Sequence, residues 1–490
     1  MLLTFVTSNP NLVLSPLWEG LIGASAPVGE NGYGEENEMT AKSSMGARFR
    51  RVIRSFAAGA ALATLGLAAA GEASAADRVK IEWWNAAGGR LAEITNKLIA
   101  DFNASQDKYE VVGIGKGNYE ETMAAMVAAY RVRQQPVLIQ AAERGFLTMY
   151  NSGAIIPVPD LMEKEGYKID WNDFVAPVAG FYLVDGKPAA MPFNSSTPIF
   201  WYNADHFKAA GFDKPGETWQ ELDKQLRAIK EKGVSKCQMA LANDFYWSLI
   251  ENYAAIQDQP YGTKANGFGG LDTEFIFNKS PLVVGQVTRL KTWLDAGILQ
   301  IAGQGLSPDQ LFTSGTCSTY VASTAAHAAV ESGAKFNWSA TFLPHEEGIE
   351  PKNSTIGGGA LWVLKGKSEE EYAGAAAFLN FLASPKTQVW WSKQTGYVPV
   401  TNAAYEQAKS EGYFKDHPTR EIAILQLTRG TPTDNSRGFR FGNHNQSMAL
   451  LVEEIQGVWT GQKTPQQALD AAAARGNQIL RQYEQLHAAK

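Results

Sequence analysis

The sequence predicts an α/β protein of two lobes. Three observations point there. At 490 residues the chain is too long for a single domain of about 100–200 residues. From residue 78 onward, strand-like and helix-like segments alternate, the mark of parallel βαβ units. No repeat and no low-complexity linker separates the halves, so the lobes are expected to share several crossings of the chain.

Residues 78–84 (Arg-Val-Lys-Ile-Glu-Trp-Trp) alternate and end apolar, as a first strand should. Leu91, Ile94, Leu98 and Phe102 then recur at helical spacing, and residues 109–114 read as a second strand. Tyr119, Met123, Met126, Val127 and Tyr130 make another helical face, followed by a short buried strand at 137–139. The pair Asp185-Gly186 suits a tight hairpin turn. Thr218 and Glu221 form a capping box ahead of Leu222, Leu226 and Ile229, with Gly233 as the stop. Ser368 and Glu371 open a second helix carrying Phe378, Leu379 and Leu382. Thr464 and Pro465 open the last.

Hydrophobic residues make up 45% of the chain and charged residues 19%, which supports sizeable cores and excludes a disordered protein. The net charge is −6 with no long basic run, so nucleic acid is not the expected partner. Two cysteines, Cys237 and Cys317, exclude a disulfide scaffold and a four-cysteine zinc site. At 45–54 a basic stretch precedes an apolar run of 14 residues at 57–70 and then Ala73-Ser74-Ala75. These are the three parts of a Sec-type signal peptide, and the run is shorter than the ~20 residues a membrane span needs. No cysteine at the cut offers a lipid anchor. A soluble protein of the Gram-negative periplasm is expected, cleaved near Ala75 and beginning at Ala76 or Asp77. Residues 1–44 fit no part of the signal, and Met39 or Met45 is the expected true start.

Catalytic patterns are scarce. Residues 113–117 are glycine-rich but lack the phosphate-loop ending, and read as a turn before a helix. There is no Gly-x-Ser-x-Gly elbow and no His-Glu-x-x-His zinc helix, and the six histidines are scattered. Neither a cofactor nor a metal is expected, and catalysis is not the favoured reading. Segment 192–203 reads differently. Its aromatic-rich strand is interrupted by Ser195, Ser196, Thr197 and Pro198, which fits a strand crossing between lobes with serines at the cleft.

Six blocks carry a resemblance: 117–120 (Gly-Asn-Tyr-Glu), 193–198 (Phe-Asn-Ser-Ser-Thr-Pro), 357–362 (Gly-Gly-Gly-Ala-Leu-Trp), 393–399 (Lys-Gln-Thr-Gly-Tyr-Val-Pro), 438–443 (Gly-Phe-Arg-Phe-Gly-Asn) and 458–469. In that order they resemble the periplasmic glycerol-3-phosphate-binding proteins of ABC importers, within extracellular solute-binding protein family 1. The likeness runs from about residue 79 to 484. It implies a type II clamshell with hinge strands between lobes, here 76–196 with 324–395 and 197–323 with 396–490. It also implies a monomer that delivers a small solute to membrane permease subunits, with ATP on a separate subunit. Carried over by motif, the ligand residues are Tyr119, Glu143, Ser196, Ser323, Gly358 and Tyr397. Glu143 would accept from ligand hydroxyls, and glycine at 358 would let backbone approach closely. The resemblance further implies a Cys237–Cys317 disulfide.

Two departures bear on specificity. The family's phosphate-gripping arginine falls at Met448, two residues after Gln446; Arg440 and Arg437 would compensate only if their loop bends inward, and Arg440, inside a shared block, is expected to have its own place in the structure. The aromatic residue the family places on the glycerol side is replaced by 242–245 (Ala-Asn-Asp-Phe), with Trp247 or Phe245 as stand-ins. A glycerophosphodiester is therefore expected in preference to glycerol-3-phosphate. The alternatives are a sugar- or oligosaccharide-binding homologue and a secreted hydrolase using Glu143 as general base.

Overall fold

The computed structural model describes residues 78–487, so the signal segment, the extension before it and the expected cleavage point lie outside the described residues. Among the described residues no helix is long and apolar enough to cross a membrane.

The first half supplies β1 (Val79–Asn85), α1 (Gly89–Ser105), β2 (Tyr109–Gly115), α2 (Tyr119–Arg131), β3 (Leu138–Ala142) and β4 (Ile155–Ile156). β1 pairs in parallel with β2 and β3, as the alternation of strand and helix requires. α1 turns Ile94, Leu98 and Phe102 inward, and its fully buried neighbours on β1 are Ile81 and Trp83. A later helix, Glu369–Ala383, opens with reciprocal bonds between Ser368 and Glu371. It sets the Phe378 ring 5.5 Å from Trp83 and 5.0 Å from Phe102. Burying each such ring contributes about 2–3 kcal/mol. The hairpin β5 (Leu183–Val184) and β6 (Lys187–Pro188) turns at Asp185 (φ +49°) and Gly186 (φ +79°), both left-handed as the tight turn demands.

β7 (Met191–Ser196) belongs to the first sheet and β8 (Pro198–Asn203) to the second, so the chain changes lobe at Thr197. Proline is tolerated at the first residue of β8, where no ladder bond is lost. The second sheet adds β9 (Cys237–Leu241), β10 (Leu299–Ile301), β11 (Cys317–Ser323) and β12 (Trp338–Thr341), in the order β10-β9-β11-β8-β12. Cys237 and Cys317 are register partners on the parallel strands β9 and β11, and a disulfide joins them across a Cα separation of 4.5 Å. β13 (Gly357–Leu364) returns to the first sheet, antiparallel to β3, β4 and β7.

Three crossings meet at one point. Thr197 Oγ1 lies 2.7 Å from Ser354 Oγ on the return crossing, and the Thr324 N–H donates to the Thr197 carbonyl at 3.2 Å. The expected boundaries need correction here. The expected first lobe includes residues 338–341, but β12 pairs with β8 in the second sheet. β8 would otherwise present an open edge, and the Ala204 N–H reaches the Asn337 carbonyl at 2.8 Å beside it. Beyond 396, the Val398 N–H donates to Ser195 of β7 and Thr401 bridges Phe174, so this stretch still packs on the first lobe.

Candidate functional site

The crossings floor a cleft of about 470 Å³ between the lobes. Each wall comes from an element end. Tyr119 is the first residue of α2, whose start is held by a capping box between Asn118 and Glu121. Glu143 follows β3, Ser196 ends β7, Ser323 ends β11, and Gly358 lies at the start of β13. Tyr397 follows the left-handed Gly396 (φ +88°) that stops the helix Pro385–Thr395. From the second lobe, Trp247 begins a short wide helical turn, Trp247–Glu251. All seven of these expected residues line the cleft.

A polar chain fixes the first-lobe wall. The Ala86 N–H donates to Gln140 Oε1 at 3.0 Å, and Gln140 Nε2 donates to Asn194 Oδ1 at 2.9 Å. Asn194 Nδ2 then donates to the Tyr119 hydroxyl at 2.7 Å. Burial pushes the Tyr119 phenol well above its ordinary range and raises Tyr397 too, so both stay protonated. Glu143 is 6% exposed and its Oε2 has no hydrogen-bond partner. Burial pushes its carboxyl up to about 7, against the opposing pull of Arg144. On the facing wall Trp247 Nε1 donates to the Ile356 carbonyl at 3.4 Å, and its ring packs where any Cβ at Gly357 would be, 2.2 Å from Cζ2. Ser323 caps the turn after β11 by accepting from the Ala325 N–H at 3.2 Å.

Two expected residues are elsewhere. Arg440 is buried and points away from the cleft, Nε donating to the Phe181 carbonyl at 2.9 Å and Nη2 to Leu183 at 2.8 Å. Its guanidinium lies 4.3 Å from both the Phe146 and Phe268 ring centroids. Met448 is 1% exposed in the second-lobe core, its sulfur accepting from the Tyr261 hydroxyl at 3.3 Å. Position 448 sits on the apolar face of the helix His444–Trp459, with Leu451, Ile455 and Val458, so packing decides its direction.

Other residues that line the cleft were given no ligand role by the sequence: Asn118, Glu120 and Asp244, inside segments already singled out, and Arg144, Tyr246 and Gln304. Phe245, weighed there as a stand-in, also lines it. Arg144 adjoins Glu143 in the chain, yet only the fold brings its Nη2 within 3.0 Å of Glu120. Asp244 accepts from the Gly305 N–H at 2.8 Å, holding the 304–306 loop at the rim.

Comparison with known proteins gives a consistent picture. Residues 97–421 match the family described as bacterial extracellular solute-binding protein. The chain is 38% identical over 426 residues to the sn-glycerol-3-phosphate-binding periplasmic protein UgpB of Escherichia coli (strain K12), covering 86% of this chain and 96% of the relative. The same figures hold for UgpB of Salmonella typhimurium. Among solved structures, UgpB from Mycobacterium tuberculosis in complex with glycerophosphocholine superposes with a TM-score of 0.71 at 22% identity, covering 82% of this chain and 98% of that one. The GacH receptor of Streptomyces glaucescens, solved unliganded and with acarbose, gives 0.70 at 16%, covering 83% and 99%. Both share the two-lobed fold.

Proposed function

The chain belongs to the bacterial extracellular solute-binding proteins, and on that premise we propose that it captures a glycerol-phosphate-type solute in the periplasm for an ABC importer. Within that class we favour a glycerophosphodiester over glycerol-3-phosphate. The charge of the cleft carries the choice. Glu120, Glu143 and Asp244 line it against one guanidinium, that of Arg144. A phosphate monoester brings nearly two negative charges near neutral pH, and burying both here costs more than burying the single charge of a diester. The relatives named for sn-glycerol-3-phosphate support the solute class, and the glycerophosphocholine complex of the mycobacterial protein supports the diester.

In this reading solute lodges first on Tyr119, Glu143, Ser196, Gly358 and Tyr397, and rotation about the crossings at Thr197, Thr324 and Ser354 brings Ser323 and Trp247 over it. Micromolar affinity needs about 8 kcal/mol, more than a few neutral hydrogen bonds of ~1 kcal/mol net supply, so closure must also bury area and exclude water. We take the protein to act as a monomer, released by a signal peptide cut near Ala75, and to leave ATP to a separate subunit. A sugar remains the second reading, because Tyr246 and Trp247 line the cleft beside a hydroxyl-accepting Glu143. Calorimetry with glycerophosphocholine, glycerol-3-phosphate and small sugars decides. Micromolar or tighter binding of the diester, with the monoester at least tenfold weaker, is expected. Tight binding of the monoester removes the diester preference, and binding of sugars alone removes the whole reading.

A further inference from the structure

Among the described residues that line the cleft, Arg144 is the one with a positive charge. Arg440, near the same part of the chain as position 448, is committed to the carbonyls of Phe181 and Leu183. Position 448 holds a buried methionine packed in the core. An anionic ligand group in this cleft therefore has one guanidinium to meet.

Arg144 is arranged to meet it. Its Nη2 and Nε donate to a single oxygen of Glu120, at 3.0 and 3.3 Å. Nη1 stands 3.6 Å from Glu143 Oε1, beyond hydrogen-bond reach. The guanidinium is thus held between two carboxylates without all five of its N–H groups being used. Glu120 is half-exposed, with 48% of its side chain accessible, whereas Glu143 is buried at 8%. Glu120 can turn to water at little cost, while Glu143 stays behind the guanidinium and keeps its charge compensated. Tyr246, from the opposite lobe, stands close enough for the Arg144 charge to pull its phenol down against the effect of burial. Arg144 lies where the two lobes meet.

We propose that Arg144 is the anion-recognising residue of the cleft, binding the ligand's phosphoryl oxygens through its paired N–H groups after Glu120 releases them. This rests on the glycerol-phosphate reading above. Glu120 then acts as an internal competitor for the same donors, and a planar guanidinium matches two phosphoryl oxygens better than an ammonium does.

The test is calorimetry on the full mature protein with glycerophosphocholine, using wild type, Arg144→Gln, Arg144→Lys and Glu120→Gln, each checked for a cooperative unfolding transition. Arg144→Gln should bind about thirtyfold or more weakly, with Arg144→Lys between it and wild type. Glu120→Gln should bind several-fold more tightly, because its neutral amide no longer competes. A role confined to holding the fold would not produce that gain. If Arg144→Gln fails to fold, the Glu120→Gln result decides alone. Folded Arg144→Gln within threefold of wild type, or Glu120→Gln no tighter than wild type, overturns the proposal and leaves the ligand class standing. Wild type that binds only uncharged sugars overturns both.

Discussion

A Cβ on Gly358 would stand 1.9 Å from the backbone carbonyl oxygen of Asn194. Gly358 also has φ +90°, a conformation that costs other residues strain. Two main chains are therefore packed as closely as backbone allows, at the point where β13 pairs with β7 and the cleft wall begins. Neither can give way as a flexible side chain would. Gly358→Ala should lose at least ~3 kcal/mol in denaturant unfolding and abolish solute binding. At neighbouring Gly357 the obstacle is the Trp247 ring, so Gly357→Ala should cost less stability but still weaken the solute by displacing that ring.

Glu143 makes stability depend on pH in a defined window. Its carboxyl rises from an ordinary 4.5 to about 7 in the fold, chiefly through burial. Between those values the folded protein holds a proton that the unfolded chain releases. Stability therefore falls as pH rises from about 4.5 to about 7, and the full cost persists above. That cost is up to about 3 kcal/mol. Glu143→Gln should be more stable than wild type at pH 8 by up to that amount, with the difference vanishing near pH 4. The same variant should bind solute at least tenfold more weakly, since the charged acceptor is lost. Unfolding curves across pH and calorimetry at pH 8 check both.

Arg440 ties the second half of the chain to the first. Burial pushes its guanidinium down to about 9, with Arg437 adding repulsion, while the carbonyls of Phe181 and Leu183 take its donors. Arg440→Met leaves those carbonyls unpaired and should cost ~2–4 kcal/mol. Because the side chain faces away from the cleft, the ranking of phosphodiester over monoester in calorimetry should be unchanged.

The disulfide spans a sequence separation of 80 residues. In the chain-entropy model a loop of that size stabilises by ~4 kcal/mol. Reduction should lower the unfolding midpoint accordingly, and thiol labelling of denatured, unreduced protein should find no free cysteine.

How far the molecule is legible from its residues depends on the range of the forces involved. The boxes at Thr218–Glu221 and Ser368–Glu371 and the turn at Asp185-Gly186 all stand where expected, because each is satisfied within a few residues. The lobe crossing at Thr197 was legible too, since Pro198 and the hydroxyl run interrupt an otherwise aromatic strand. Tyr119, Glu143, Ser323, Gly358 and Tyr397 were expected at the cleft only through the family resemblance, since their spacing along the chain bears no relation to their meeting point.

The cation of the cleft was not legible. Whether Arg144, Arg437, Arg440 or a residue at 448 lines the cleft depends on partners outside its own stretch of chain. Arg144 is turned by Glu120, Arg440 by carbonyls some 250 residues away, and Met448 by the face it shares with Leu451 and Ile455. The position of β12 has the same origin, an open edge on β8 that no local pattern announces. The sequence by itself determined the class of the protein, the start and stop of its helices and the residues held in its motif blocks. Tertiary structure alone decided which cation lines the cleft, because a guanidinium goes to whichever acceptors folding brings within 3 Å of it, and chain order does not say which those are.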